Sequence, residues 1–527
     1  MNRRILNVFG AMCIGTAALM TSAIALAQDG TAQARFDQHR VVRVRIESAN
    51  DLKLMAGLTS DMWSENYGIG GPVDFRLSPE AFETLKTTSL DYEVLISNLQ
   101  DLIDAEQAHL RESNQGGIIA GDEWFTDFKS YDQISQQVNT LVADYPDLAS
   151  RFSIGQSLEG REIFGLKITA PGGGDKAGVL YNSNQHAREW ITPMVTMYIA
   201  DRLLREYATN QEVQDLLSRC EFFIVPTVNP DGYVYSWTRN RMWRKNRRNN
   251  GGGSYGVDLN RNWSVGWGGE GSSGNRDSEI YRGPSAFSEP ETQVMRDFIL
   301  ANPHIAAHVD FHSYSQLILW PWGYTGSAPP DASTFDRIGR ELQSLIRGVH
   351  NKRYDQGQTY WSIYPASGVM PDWTYGEAGA LGYTIELRDT GQYGFLLPAN
   401  QILPNAEEIW PAALAFAWEV APDVGMTLEI DPLFRGQQAE MRVSGAAPST
   451  MVYFTYSLAG MGNTYVPVLD VTLDLMLPKL AGSDESDGSG NAAYMATVPA
   501  NAPLILVWAQ AAHYQRTSNV VATQINN

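Results

Sequence analysis

Apolar residues along the chain fall into three blocks with different spacing. In residues 36–113 short β-branched runs alternate with helical patterns. Val41, Val42, Val44 and Ile46 predict a strand, residues 50–58 a helix, and residues 73–77 a second strand. Ser78-Pro79 supplies an N-cap and a proline at the first helical position, opening a helix over 80–87. Residues 92–96 read as a third strand. Ser97-x-x-Gln100 reads as a capping box, opening a helix that carries Leu99, Leu102, Ile103 and Leu110. The result is a small β-α-β-α-β-α unit with no catalytic cluster, followed by a link marked by Gln115-Gly116-Gly117 and Gly121.

In the second block, about 124–422, residues 179–182, 222–228, 306–311 and 383–387 are short apolar runs suited to buried strands of one sheet. Helical stretches such as 289–300 and 334–349 lie between them, which predicts an α/β arrangement of helices on a sheet. From about 426 to 527 the pattern changes to strand-like runs (441–443, 452–456, 504–508, 519–523) between Gly/Ser/Pro/Asn turns. Residues 483–491 read as a low-complexity loop of Asp, Ser and Gly. A small β-sandwich is the economical reading.

Ahead of these blocks, Arg3 and Arg4 precede an apolar stretch over 5–27 that ends in Ala25-Leu26-Ala27. A positive start, an apolar core and a small-x-small exit predict a secretory signal cut after Ala27. An uncleaved anchor is the alternative, since the stretch is long for a signal. Cys13 has further apolar residues after it, which argues against a lipoprotein site. Cleavage would leave Cys220 as the single cysteine, so no internal disulfide is expected in an exported, extracellular or periplasmic protein. No other segment is long and apolar enough to span a bilayer, so stable membrane association is not expected after cleavage.

Composition narrows the function classes. The 527 residues are 43% hydrophobic, enough for two to four cored domains and too apolar for a disordered chain. A formal charge of −20 disfavours nucleic acid and anionic membranes. Two cysteines exclude a disulfide scaffold and a Cys-rich zinc module.

The candidate chemistry lies in the second block. His186 and Glu189 leave a predicted strand three residues apart, so imidazole and carboxylate can converge from one turn. Two His and one Glu are a ligand set zinc accepts while keeping a position open, although H-x-x-E alone is a weak signal. His304, His308 and His312 are spaced by four, but the residues between them read as a strand. On it His308, Asp310 and His312 share one face with His312 at the exit. Ligands cluster at the carboxyl ends of such strands, which favours His312 and leaves His308 open. The basic run 237–248 reads as a nucleic-acid surface, as a solvated loop, or as arginines (Arg241, Arg244, with Arg261) lining a site for a carboxylate and a developing oxyanion. Glu386 lies in an otherwise apolar strand. It is either a general base beside a metal-activated water or half of an ion pair with Arg388 on the same face.

Seven segments resemble the zinc metallocarboxypeptidases of the pancreatic carboxypeptidase A/B family. They are N-Q-H-A-R-E-W (184–190), T-V-N-P-D-G-Y (227–233), R-M-W-R-K (241–245), V-D-L-N-R-N-W (257–263), H-S-Y-S-Q (312–316), I-Y-P-A-S-G (363–368) and E-L-R-D-T-G-Q-Y-G-F (386–395). They stand in the family's order, and the first block resembles the family's propeptide. The resemblance implies a mixed, eight-stranded-type sheet sandwiched by helices, preceded by a small α/β propeptide and followed by the β-sandwich. The implied divisions are a signal at 1–27, a propeptide at 28–118, a catalytic domain at 119–422 and an accessory domain at 423–527. It further implies one zinc per chain on His186, Glu189 and His312, with Glu386 as general base and Arg244 stabilising the oxyanion. Asn260, Arg261 and Tyr364 match the clamp on the substrate's free carboxylate, and Arg188 an auxiliary substrate-binding arginine.

Leu319, Thr359, Met370, Pro371 and Thr384 match the walls of the side-chain pocket. Pro371 stands where the basic-residue enzymes carry an acid, and Asp372 belongs to the next position. Without a buried counter-charge, aromatic and aliphatic carboxy-terminal residues are the expected substrates. The family's disulfide has no counterpart, because Cys220 is alone. The glycine-rich stretch 266–274 reads as a mobile loop, and Arg111 offers a cut for an activating protease. The third block resembles carboxy-terminal β-domains of secreted bacterial hydrolases. The rival readings are a zinc deacylase or cell-wall peptide amidase on the same fold, and a binding module without chemistry.

Overall fold

The computed structural model describes residues 33–64, 70–113, 121–172, 175–422, 425–447, 449–488 and 490–527. The predicted signal with Cys13, and the link residues Gln115 to Gly117, lie outside the described residues.

Why the first unit presents two apolar faces follows from strand alternation. Its sheet runs in the order Gly71–Leu77, Arg40–Ile46, Tyr92–Ile96, all antiparallel. Val42, Val44 and Ile46 point one way, into a core shared with Phe75, Phe82 and Leu85. Val41 points the other way and joins Trp63, Leu99 and Ile103 in a cluster with Tyr314 and Phe395 of the next unit. Ser78 caps its helix, accepting from the Ala81 N–H, with Pro79 following. The capping box expected at Ser97 does not form. The helix begins at Leu99, and Gln100 Oε1 accepts the Phe36 N–H at 2.6 Å, satisfying a buried donor on the incoming chain. A capping box does form at Ser48 and Asp51.

The second unit is built on eight strands, in the order Asp355–Gln358, Leu317–Trp320, Leu381–Glu386, Ile305–His312, Ala177–Ser183, Cys220–Val225, Glu162–Ile168, Ala149–Gln156. Four central strands, from Leu381–Glu386 to Cys220–Val225, are mutually parallel, so their carboxyl ends open at one edge of the sheet. Ala307, Val309 and Phe311 pack with helices Ile191–Glu206, Ala332–His350 and Ile402–Trp418. On the opposite face Leu180, Phe223 and Ile305 pack with Met295 and Ile299 of Pro290–Ala301 and with Met370. Cys220 is fully buried in the first of these clusters, and burial pushes its thiol up to about 12.

In the third unit the sheet Thr427–Ile430, Gln438–Ser444, Ala492–Thr497 faces a second sheet that contains Met451–Ser457 and Leu506–His513. Leu428, Met441 and Val443 meet Phe454, Ala509 and Ala511 between them. This is the expected sandwich, with one correction: Ser483, Asp484 and Glu485 are not loop but the end of strand Lys479–Glu485, paired with Met451, Val452 and Tyr453. Their polar side chains suit an edge strand exposed to water. Among the described residues no helix is long and apolar enough to cross a membrane.

Candidate active site

Strand Ala177–Ser183 ends in a tight turn before helix Ile191–Glu206, with Asn184 in the left-handed region (φ 61°). That turn carries His186 and Glu189, both buried. His312 ends the neighbouring parallel strand and reaches the same point. His186 Nδ1 lies 2.8 Å from Glu189 Oε1, His312 Nδ1 lies 3.1 Å from Glu189 Oε2, and the two Nδ1 atoms are 3.1 Å apart. Outward, His186 Nε2 meets Asp258 Oδ1 at 3.1 Å and His312 Nε2 meets Asp310 Oδ2 at 2.7 Å. Carboxylates only accept, so both Nε2 atoms carry the proton. Both Nδ1 lone pairs then face each other and two carboxylate oxygens, an arrangement of acceptors that a cation resolves. The three ligand atoms lie within 4.8 Å of one another, and this donor set fits zinc.

The electrostatics agree. Burial would raise the Glu189 carboxyl, but the two imidazoles hold it well below the ordinary range. Burial would lower the His312 imidazole, yet Asp310 and Glu189 raise it well above. An ionised Glu189 and surroundings that favour positive charge at His312 both suit a divalent cation.

Glu386 closes strand Leu381–Glu386 directly opposite His312 in the parallel register, and it is buried. Residues paired across adjacent strands point to one face, so its carboxylate shares the side of His312. The alternative ion pair with Arg388 is overturned. The strand ends at Glu386, and Arg388 instead meets Glu408 and Gln401 next to helix Ile402–Trp418.

The arginines divide by partner. Arg244 donates to Asp258 Oδ2 through Nε at 3.3 Å and Nη2 at 3.1 Å, so one carboxylate orients both Arg244 and His186. Burial opposes ionisation of Asp258, but Arg244 and the hydrogen bond from His186 hold it well below the ordinary range. Arg261 Nη2 donates to the Tyr364 hydroxyl at 2.6 Å, its Nη1 to the Asn260 carbonyl at 2.7 Å and its Nε to the Gly271 carbonyl at 2.8 Å. Asn260 Oδ1 accepts the Met370 N–H at 3.0 Å. The stretch 266–274 is thus tied to Arg261 through the Gly271 carbonyl. Gly271 (φ 76°) sits so close to Pro365 that a Cβ would fall 1.6 Å from its carbonyl oxygen. Arg241 is covered by the first unit. It pairs with Glu106 and supports the Arg188 carbonyl, while Arg248 pairs with Glu289 and Arg247 lies over Tyr235 and Trp243. The basic run is thus spent on internal partners rather than on water or a polyanion.

His308 donates from Nε2 to Asn182 Oδ1 at 2.6 Å, lies 2.9 Å from the Thr374 hydroxyl through Nδ1, and is pushed down to about 4 by burial. It stands outside the ligand group, as does the exposed His304, which meets Glu221. Among the residues expected to line the side-chain pocket, Leu319 pairs with Thr384 across antiparallel strands, Thr359 bonds the Trp320 carbonyl, and Met370 and Pro371 open helix Met370–Gly376. Asp372 accepts the N–H groups of Gly323 and Tyr324, and burial raises its carboxyl to about 7. Asp258 is the site residue that sequence reading missed. Its only signal was its place in V-D-L-N-R-N-W, two residues before Asn260.

The first unit lies over this site. Arg188 donates through Nη1 to Asp61 at 2.9 Å, and its guanidinium stacks on Phe395. Trp63 packs edge-on against Phe395 at 5.0 Å, and the Tyr314 hydroxyl donates to Asp74 at 3.0 Å. A cavity of 380 Å³ remains between Met62 and Phe75 above and Arg244, Glu279 and Tyr364 below.

Comparison with known proteins agrees with this geometry. The family model described as zinc carboxypeptidase matches residues 134–412, and that described as carboxypeptidase activation peptide matches residues 42–106. Mouse (Mus musculus) carboxypeptidase A4 is 35% identical over 387 residues, covering 71% of this chain and 92% of that protein. Carboxypeptidase B of Astacus astacus is 44% identical over 290 residues, covering 54% of this chain and 94% of that protein. The crystal structure of thrombin-activatable fibrinolysis inhibitor superposes with a TM-score of 0.67 at 31% identity, covering 73% of this chain and 99% of that one. Carboxypeptidase A from Helicoverpa armigera gives 0.65 at 30% identity, covering 73% and 98%. With a His-Glu-His group at the strand ends and an activation unit laid over it, this chain belongs to the zinc carboxypeptidase family and is a zinc-dependent metallocarboxypeptidase carrying its activation propeptide.

Proposed function

We propose that the protein is a secreted zymogen whose mature form removes single carboxy-terminal residues, with aromatic and aliphatic ones preferred. The observation that carries this reading is the cluster of Arg261, Tyr364 and Asn260 beside the ligand group, with the Arg261–Tyr364 contact at 2.6 Å. A planar guanidinium flanked by a hydroxyl and an amide suits a free carboxylate, and such an anchor selects chain ends over internal bonds.

His186, Glu189 and His312 are the residues that would hold zinc, whose bound ion supplies Lewis-acid chemistry to a water and to the scissile carbonyl. Glu386, across the strand from His312, takes the proton of the attacking water and returns it to the leaving amine. Arg244 turns from Asp258 toward the carbonyl oxygen as negative charge develops there. Arg188 receives the upstream part of the peptide once Asp61 has gone. Leu319, Thr359, Met370, Pro371 and Thr384 form a wall with no ionised group of their own, which favours apolar side chains. Arg3, Arg4 and the Ala25-Leu26-Ala27 exit support secretion, and exposed Arg111, in the last turn of helix Leu99–Ser113, supports activation by a trypsin-like protease.

The test is amino-acid release from peptides ending in Phe, Leu, Arg or Glu, using proteolytically matured protein with and without a zinc chelator. Chelator-sensitive release of Phe and Leu is expected. Release of Arg first would overturn the pocket reading, and no release from zinc-loaded protein would move the assignment to a deacylase or amidase.

A further inference from the structure

His312 is backed by polar groups that the reaction does not use. His308, Asp310 and His312 alternate along strand Ile305–His312 and point to one face, toward helix Met370–Gly376. All three are buried, as are Asn182, Gln185 and Thr374 around them. A buried carboxylate among apolar strands is costly unless donors surround it, and Asp310 has three. Asn182 Nδ2 donates to Oδ1 at 2.7 Å, Gln185 Nε2 to Oδ2 at 2.5 Å, and His312 Nε2 to Oδ2 at 2.7 Å.

The direction of each bond is set by its neighbour. Asn182 spends its amide hydrogen on Asp310, so its Oδ1 accepts from His308 Nε2, which leaves His308 Nδ1 to accept the Thr374 hydroxyl at 2.9 Å. Gln185 likewise donates to Asp310 while its Oε1 accepts the Trp263 indole N–H at 3.2 Å. Asn260 Nδ2 lies 3.3 Å from His312 Nε2, but both are donors, so Asp310 is the acceptor for that ring.

We infer that Asp310 is a positioning residue: anchored by Asn182 and Gln185, it holds the Nε2–H tautomer and orientation of His312, so that Nδ1 faces Glu189 and His186 as a metal ligand. The arrangement mirrors Asp258 behind His186, but Asp310 comes from the ligand's own strand, two residues back. Through Asn182, His308 and Thr374 it also ties His312 to the helix that begins with Met370 and Pro371, so the ligand and the pocket wall share one scaffold. The inference rests on the reading of His312 as a ligand.

The experiment measures zinc affinity of the full-length chain against a competing chelating dye, for the parent, Asp310→Ser, Asp310→Asn and His312→Ala. Loss of a residue that orients a metal-binding histidine weakens zinc by roughly 10- to 100-fold, which is the expectation for Asp310→Ser. Asp310→Asn keeps an oxygen that accepts from Nε2–H but turns its amide hydrogens toward Asn182, also a donor, so it should lose less zinc affinity than Asp310→Ser. Parent-like affinity in Asp310→Ser, or equal loss in both Asp310 variants, would overturn the inference. Should Asp310→Ser fail to fold, Gln185→Met removes one anchor at similar volume. It should weaken zinc by about threefold, and no change would equally overturn the inference. His312→Ala separates the two levels. If it binds zinc like the parent, the ligand reading falls; if it loses zinc while Asp310→Ser does not, only the positioning role falls.

Discussion

Asp61 of the propeptide and Arg188 of the cleft form a buried ion pair at 2.9 Å, and Asp61 is also held by Arg76 at 2.5 Å. The connecting segment that delivers Asp61 also delivers Trp63 to Phe395, so charge and aromatic packing close the same part of the cleft. Around them Arg43 bonds Asp74 and the Thr390 carbonyl, and Glu106 meets Arg241. The propeptide is fastened at its edges and leaves a cavity over Arg244 and Tyr364.

Breaking this pair should loosen the cover without touching the chemistry. Asp61→Asn leaves Arg188 buried with half its partner, a change that costs about 3–5 kcal/mol when no relaxation occurs. The uncut variant should hydrolyse a Phe-ended peptide at least about tenfold faster than the uncut parent, because roughly 1.4 kcal/mol already suffices for that factor. After the propeptide has been cut away, the two should be equal. Equal rates before cutting would remove Asp61 from the inhibitory contact.

The same carboxylate makes the cover acid-sensitive. Burial alone would raise the Asp61 carboxyl, but Arg76 and Arg188 bring it down to about 2. A depressed carboxylate contributes stability above its unfolded value near 3.8 and loses it as the pH falls toward 2. Glu106 has the opposite sign: burial outweighs Arg241 and raises it, so its contribution weakens as the pH rises past the ordinary glutamate range. In protein nicked after the propeptide, dissociation followed by gel filtration should increase between about pH 4 and pH 2. That limb should be flattened in Asp61→Asn. Coincident profiles would assign the acid effect to other carboxylates.

Glu386→Gln separates proton transfer from binding. The amide keeps shape and hydrogen bonding but accepts no proton, so kcat should fall by about 10²- to 10⁴-fold. Zinc content and KM for a Phe-ended peptide should change little, because Glu386 lies outside the ligand group. A variant retaining more than about a tenth of parental kcat would show that Glu386 is not the base.

What could be read in advance depended on how local the deciding contact was. Strand alternation placed His312 at a strand exit, and the register of Leu381–Glu386 against Ile305–His312 later set Glu386 opposite it. Whether Glu386 pairs with Arg388 could not be read from spacing, because the strand ends between them and Glu408 lies 20 residues on. Asp258 was hidden for the same reason, its partners His186 and Arg244 lying 72 and 14 residues away. Gln100 carried a local capping signal and lost it to Phe36, whose N–H lies 64 residues back. Ser483 to Glu485 read as loop because composition says nothing of an edge strand's partner, here Met451 to Tyr453.

Pro371 is where substrate preference should be changed. Asp372 beside it already spends its carboxylate on the N–H groups of Gly323 and Tyr324, so its charge faces that loop and is not offered to a substrate. Pro371 opens helix Met370–Gly376, where no intrahelical N–H bond is lost and an acid is favoured by the helix dipole. Pro371→Asp would leave a carboxylate in the proposed wall beside Leu319, Met370 and Thr384, and a buried charge of that kind is relieved by a cationic substrate side chain. The ratio of kcat/KM for an Arg-ended over a Phe-ended peptide should rise by at least about 100-fold, with most of the gain in KM for the Arg peptide. Raising the salt should reduce it only slightly, since a desolvated pair is poorly screened. If the ratio stays at its parental value in folded, zinc-loaded protein, Pro371 does not face the substrate side chain, and the preference must be set by Met370 or the Leu319–Thr384 pair.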